Sequence, residues 1–348
     1  MATKQPQTNS LQMLRTAIRE KNTQRLYFFH GEETFLMNHY LEQLRKLLID
    51  DVTESFNFHK LNGENFDIQT LADAVENLPM MAESTMVWVD EIDLFKMPEA
   101  DREKMIDIFS DVPDYCTLVF TYVTTPWKPD KRQKKLWDAV ERYGTVVEFP
   151  KQEQRDLVAW IARHFAAEKK SISQDLCVYL IDITGGTMTA LASEISKICA
   201  YSEADAICRA DIDAVVEPVL DAVVFQMTDL LSRNAYGPAL QKLRQLFKMQ
   251  QEPIAILGTI SAHFRRLGIA RTLLDNGKTS VELMRLCNMQ DYPARKTMSA
   301  AGRFSASFYA RVAEEIMETD RQMKTSYDEP ERLLEMLVMQ IAQEARND

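Results

Sequence analysis

A strand–turn–helix pattern at residues 25–41 lies where a nucleotide-binding α/β domain carries its phosphate loop. Such a loop needs several glycines for close backbone approach and a Lys that meets the β- and γ-phosphates. This turn has one glycine, Gly31, followed by Glu32 and Glu33, and the next Lys is Lys46. Two carboxylates at a helix N-terminus suit the helix dipole but repel a triphosphate. The sequence therefore predicts an ATPase-like plan without an ATP site, and a partner-binding role.

A second acidic pair follows the apolar segment Val87–Val89. Asp90 and Glu91 occupy the positions that hold Mg²⁺ and direct water in a phosphate-loop ATPase. The same pattern is typical of a buried strand whose end meets solvent. Taken alone, the two interpretations are equal, and the missing phosphate loop favours the structural one.

The segment Gly185–Glu194 resembles the lid motif of AAA+ proteins, in which a helix carries an ATP-sensing Arg in its first turn. Here the matching positions are Thr187, Met188 and Thr189. The Arg is absent, so a second ATP-contacting group is missing.

These motifs need an α/β scaffold, and the first part of the chain has the pattern of one. Apolar strands that alternate with helices indicate a parallel sheet covered on both faces. The predicted strands are Leu26–Phe29, Phe56–Leu61, Met86–Asp90, Thr117–Val123 and Val146–Phe149, with helices at Phe35–Ile49 and Ile68–Leu78 among them.

After Pro150 the strand patterns stop and amphipathic helices continue to the end of the chain. Gly185 and Gly186 supply the left-handed backbone that ends a helix. The fold class predicted is α/β followed by all-α. We expect three domains: an α/β domain at 1–149, a small helical lid at 150–212 and an all-α domain at 213–348.

Composition excludes several classes of protein. The 348 residues have a net charge of −11 and five scattered cysteines, none in a CxxC pair. The charge argues against indiscriminate nucleic-acid binding, and the cysteines favour reduced thiols in a cytoplasmic protein over disulfides or a metal site. The His residues show no metal-ligand spacing, and no catalytic motif is present. We expect no cofactor, no metal and no membrane span.

The order and spacing of several motifs resemble one family, the delta subunit of bacterial DNA polymerase III, which is a clamp-loader component. The motifs are Gly31-Glu32-Glu33 with Phe35-Leu36, Glu148-Phe149 before a helix with Trp160, Gly185-Gly186 with Leu191, Glu194 and Lys197, Phe264-Arg265-Arg266-Leu267, and Gly277-Lys278. The resemblance spans nearly the whole chain. It implies an AAA+-like RecA-type domain without a functional ATP site, then a lid and a C-terminal collar.

In that family a hydrophobic plug between a helix and a strand of the first domain holds the sliding clamp. The matching residues here are Met80 and Met81, supported by Leu78 and Pro79. The residues alone favour a local core role for both Met side chains, and the resemblance favours clamp contact. Met suits such a plug because it is flexible and fills irregular pockets.

A local basic excess suggests a second surface. Residues 262–304 carry eight basic and three acidic side chains. Such an excess can follow a phosphate backbone, and an aromatic ring can stack on an exposed base. Solvated helix faces or contacts to other subunits are equally open. The candidate DNA-binding residues are Arg265, Arg266, Tyr292, Arg295 and Lys296.

The resemblance implies a non-catalytic subunit that binds and opens the sliding clamp (beta) for loading onto primed DNA, inside the polymerase holoenzyme. Its partners would be the clamp, the ATP-binding motor subunits, delta-prime and primed DNA, with the isolated chain a monomer. Two alternatives stay open. One is a divergent AAA+ ATPase, and the other is a replication scaffold or adaptor without clamp contact.

Overall fold

The computed structural model describes residues 8–63, 65–130 and 132–348, with side chains from residue 10 onward in the first range. The chain divides into two compact units, Met1–Gln152 and Glu153–Asp348. The boundary predicted near residue 212, within the second unit, stays a prediction.

The first unit is built on a five-stranded sheet of order β2-β3-β4-β1-β5 in which every pairing is parallel. The strands are β1 Leu26–His30, β2 Phe58–Leu61, β3 Thr85–Asp90, β4 Cys116–Tyr122 and β5 Thr145–Glu148. The helices are α1 Thr8–Arg19, α2 Thr34–Leu48, α3 Glu54–Asn57, α4 Ile68–Glu76, α5 Glu99–Ser110 and α6 Lys134–Tyr143, with a 3-10 turn at Leu94–Lys96. The predicted α/β architecture is confirmed.

The central strands are buried because they are apolar on both faces. All of β4 is buried, and Phe28 stacks on Phe120 with ring centroids 5.2 Å apart. Phe109 from α5 meets both rings edge-on. Aromatic contacts of this kind add to the free energy of burial, so they fix α5 on the sheet.

Two predicted boundaries in this unit are wrong. Phe56 was expected in a strand, but it lies in the helical turn α3, and β2 begins only at Phe58. The predicted helix Ile68–Leu78 ends at Glu76, because a residue before proline avoids helical dihedrals and Leu78 precedes Pro79.

The second unit is helical throughout its named elements. They are α7 Gln154–Ala167, α8 Gln174–Thr184, α9 Met188–Tyr201, α10 Arg209–Val215, α11 Leu220–Ser232, α12 Tyr236–Lys248, α13 Pro253–Asp275, α14 Ser280–Cys287, α15 Asp291–Ala301, α16 Ala306–Thr325 and α17 Pro330–Asn347. One continuous core joins α11 to α17. As predicted, α8 ends at a left-handed glycine, Gly185, with φ +77°.

In the described part of the chain, none of the single helices is long and apolar enough to cross a membrane. The pair α8 and α9 meets the length and hydropathy criteria only when joined, and the two helices are bent by 119° at their break.

Candidate functional site

The turn after β1 is closed against backbone rather than open to a ligand. The Glu33 N–H donates to the Phe149 carbonyl at 3.0 Å. Gly31 has φ +135°, and a Cβ built there would lie 2.2 Å from the same carbonyl oxygen. Only glycine fits this approach. An amide that a phosphate loop would direct at its ligand is therefore committed to the protein's own chain.

Of two ionisable groups at this edge of the sheet, Glu33 is buried and His30 is half-buried. The Glu33 carboxyl is almost fully buried, and its desolvation raises its pKa. Burial also lowers the pKa of His30 to about 4, so its ring is neutral at pH 7. The His30 ring stacks on Trp127 with centroids 5.5 Å apart. Both groups are placed in packed surroundings where neutral forms are favoured.

The acidic pair after β3 is engaged in structural hydrogen bonds. The Glu91 carboxylate accepts the backbone N–H groups of Val123, Thr124 and Thr125 at 2.6, 2.9 and 2.6 Å. Desolvation raises the pKa of Glu91, but these donors together outweigh it and hold the pKa below its ordinary value. Glu91 therefore closes the loop after β4 as an anion.

Asp90 belongs to a chain of side-chain hydrogen bonds across the sheet. It accepts the Thr121 hydroxyl at 2.7 Å, and that oxygen accepts the Trp88 Nε1–H at 2.7 Å. This arrangement agrees with the structural interpretation of the Asp-Glu pair.

The residues at the start of α9 cap the helix and pack against the protein. The Thr187 hydroxyl caps the helix by accepting the Ala190 N–H at 3.3 Å, and Met188 is buried. Thr187 and Met188 are therefore used within their own helix. Among the described residues, no group of three or more His, Cys, Asp or Glu could hold a metal ion.

The segment between α4 and β3, residues 77–84, presents apolar side chains to solvent, and we call it the methionine turn. Met81 is 93% exposed and Met80 is 54% exposed, with Leu78 also exposed and Pro79 half-buried. All four predicted plug residues therefore lie together in one turn. Neither Met80 nor Met81 belongs to the local core, which is the role that the residues alone favoured.

The backbone of the methionine turn is unusual at its tip. Met81 has φ +56°, the left-handed region that residues other than Gly, Asn and Asp rarely adopt. A strained residue that gains nothing from its own burial often marks a functional site.

Asn57, which contacts the methionine turn, and two exposed apolar residues near it in the chain were not predicted from the sequence. The Asn57 side chain is fully buried and bonds both backbone polar groups of Met80. Phe56, beside Asn57 in the chain, is 57% exposed, and Val52 is exposed too. Because Phe56 was expected in a strand at residues 56–61, its exposure was not predicted. Nothing in the local sequence pairs Asn57 with a residue 23 positions away.

The candidate DNA-binding residues are not equivalent. Lys296 binds Asp182 at 2.8 Å and lies 4.2 Å above the Phe225 ring, so it connects α15 to α8 and α11. Arg266 reaches Asp221 at 3.3 Å and the carbonyl of Ala262. Both cations are engaged within the second unit.

The remaining candidates are more accessible. Arg295 is exposed and pairs with Asp291 at 2.6 Å. Tyr292 is half-exposed and, with Arg295, lines a cavity of about 290 Å³ that Arg155 also borders. Arg265 is exposed on α13. The structure therefore brings Tyr292 and Arg295 together beside one cavity, whereas the ion pairs of Arg266 and Lys296 connect different helices.

A five-stranded parallel sheet followed by helices, with the turn after β1 closed against backbone, defines a protein with an α/β part and an all-α part. Family models agree with this class and narrow it. Residues 27–150 match the DNA polymerase III delta subunit, and residues 221–341 match the C-terminal domain of that subunit. The chain belongs to the DNA polymerase III delta subunit family, a clamp-loader family of DNA replication.

Individual relatives are distant but match along most of their length. DNA polymerase III subunit delta of Bacillus subtilis is 23% identical over 322 residues, which is 91% of this chain and 92% of the relative. The probable subunit delta of Aquifex aeolicus is 21% identical over 280 residues, 78% of each protein. The solved structure of the Bacillus subtilis DNA clamp loader delta protein has the same fold, with a TM-score of 0.68, 20% identity and coverage of 96% of this chain and 99% of that one.

Proposed function

We propose that this chain is the clamp-loader subunit that binds and opens the sliding clamp, and that the methionine turn is the contact. The observation that carries the proposal is the exposure of Met80 and Met81 together on a turn whose tip is strained. Apolar side chains grouped on a surface are typical of a binding site, and strain at such a turn favours a functional role.

Opening requires only that the turn binds the open form of the clamp more tightly than the closed form. The partners proposed are the clamp (beta), the ATP-binding motor subunits and delta-prime, with primed DNA in the assembled loader. We infer that the chain itself is not a catalyst. The bonds that Glu91 and the Gly31 turn make within the protein support this part.

The test is clamp binding by the Met80→Ala, Met81→Ala double variant. Full burial of one Met side chain contributes about 1.5–3 kcal/mol and about 1.4 kcal/mol is ten-fold in affinity, so the loss for two side chains should be about a hundred-fold or more. Surface plasmon resonance on immobilised clamp measures it. Met13→Ala is the control, because Met13 is 58% exposed on α1 and lies outside the turn. Unchanged clamp affinity in the double variant would contradict the assignment.

A further inference from the structure

Asn57 holds the methionine turn through the backbone of Met80. Its Oδ1 accepts the Met80 N–H at 2.7 Å, and its Nδ2 donates to the Met80 carbonyl at 3.0 Å. Both backbone polar groups of one residue are thus paired with one side chain. This arrangement imitates a strand pairing and fixes the plane of the peptides on both sides of Met80.

The anchor is rigid because Asn57 lies in the packed part of the first unit. Its exposed fraction is 0%, and it is the last residue of α3, directly before β2. The turn leads into β3, which pairs with β2 in the register Phe58↔Met86. Asn57 therefore joins the start of β2 to the segment that leads into β3.

The turn is also fixed where it leaves α4. The Tyr115 hydroxyl donates to the Glu76 carbonyl at 2.9 Å, which satisfies an acceptor at the end of that helix. The segment between this bond and β3 contains Met80 and the strained Met81. Asn57 bonds the backbone of Met80, which directly precedes Met81.

A preformed turn binds more tightly than a flexible one, because the entropic cost of ordering its backbone is met during folding. Met81 has little burial to hold it in its left-handed conformation. The two side-chain bonds from Asn57 are made to Met80, the residue directly before Met81 in the chain.

We propose that Asn57 is a positioning residue that presents Met80 and Met81 in their clamp-binding form before the clamp arrives. The proposal deepens the proposed function and rests on it. According to this proposal, Asn57 raises the affinity of the turn for the clamp without contacting the clamp itself.

Asn57→Ala tests the proposal, with Asn65→Ala as the matched control. Asn65 makes the same kind of paired bonds, from the Asn62 N–H at 2.7 Å and to the Lys60 carbonyl at 3.3 Å, but in the loop after β2. We expect Asn57→Ala to weaken clamp binding by roughly five- to thirty-fold, the loss that corresponds to one backbone residue left unordered. Asn65→Ala should bind the clamp as the wild type does.

Hydrogen exchange separates positioning from general damage to the fold. In Asn57→Ala the Met80 amide should lose its protection while the amides of β3 and β4 keep theirs. Asn57→Gln serves as a second variant, because it keeps both the acceptor and the donor while its additional methylene group displaces them from the Met80 backbone. Its clamp affinity should lie between those of the wild type and Asn57→Ala.

The two hypotheses fail in different ways. If Met80→Ala with Met81→Ala weakens clamp binding and Asn57→Ala does not, the positioning role is wrong and the clamp contact stands. If the double Met variant binds as tightly as the wild type, the clamp contact is wrong and the positioning role falls with it. Loss of protection spread over the whole sheet in Asn57→Ala would also overturn the positioning role.

Discussion

At the scale of single residues, side chains that could have done nucleotide chemistry stabilise the protein instead, and the exposed binding candidates are apolar. Glu91 is bonded to three amides and Gly31 packs on a carbonyl. Met81 shows the reverse situation, since it is exposed and its backbone is strained. Stability and binding therefore make different demands at position 81.

Met81→Asn should make the protein more stable and bind the clamp more weakly. Asn tolerates the left-handed φ of this position better than Met, so relief of strain should raise the free energy of unfolding by about 0.5–1 kcal/mol. Loss of the apolar side chain should lower clamp affinity about ten-fold or more. Urea denaturation and surface plasmon resonance measure the two effects. A variant that is less stable than the wild type would show that residue 81 is not strained.

At the scale of elements, most strands and helices could be predicted from apolar patterns, but the order of the strands in the sheet and the long-range contacts could not. The helical turn α3 is an example. It is closed by the bond from the Asn57 N–H to the Thr53 carbonyl, and Glu54 in it pairs with Arg45 of α2. Such a contact is invisible in the alternation of residues 56–61, which reads as strand.

The candidate site likewise contains residues that could be proposed before the structure was known and one that could not. Met80 and Met81 could be proposed because their place between a Pro stop and a strand matches the plug of the family that the sequence resembles, whereas the residues alone favoured a local core role. The buried anchor at Asn57 depends on the pairing of β2 with β3, which only the tertiary structure gives.

The stability of the loop after β4 should depend on the charge of Glu91. Glu91→Gln keeps the shape but loses the charge, and it should lower the free energy of unfolding at pH 7 by about 1–2 kcal/mol, since solvent screens this partly exposed site. The folded pKa lies below the ordinary value of 4.5, so the contribution is present above that pH and is lost as pH falls through the folded pKa.

Denaturant titrations of wild type and variant at pH 7 and at pH 3 measure this difference, which should shrink at pH 3. Glu103→Gln, an exposed change on α5, should have little effect at either pH.

Calorimetry with ATP and Mg²⁺ should give no binding heat for the wild type or for Glu91→Gln. A binding heat for the wild type would favour the divergent ATPase.

At the scale of the whole molecule, the charge is uneven. The net charge is −11, yet residues 262–304 are basic. Within that segment Lys296 is committed to Asp182 and Phe225, whereas Arg265 is exposed. DNA contact in an assembled loader is therefore better proposed for Arg265 than for Lys296.

Arg265→Ala should weaken binding of primed DNA by the assembled loader and reduce the slope of log affinity against log salt by about one. Its thermal stability should stay close to that of the wild type. Lys296→Ala should instead destabilise the second unit, by about 1 kcal/mol, because it leaves Asp182 without its partner. Fluorescence anisotropy across a salt series and thermal melts distinguish the two. An unchanged salt slope in Arg265→Ala would remove this residue from the DNA surface.

The side-chain bonds described for Asn57 end on the main chain of Met80, and this has a consequence for how the protein evolves and how it can be engineered. A main-chain anchor is indifferent to the side chain it holds. The identity of residue 80 can therefore drift to follow changes in a partner while the loop keeps its shape. Designers could vary positions 78, 80 and 81 as a small library on a fixed backbone to retarget the molecule.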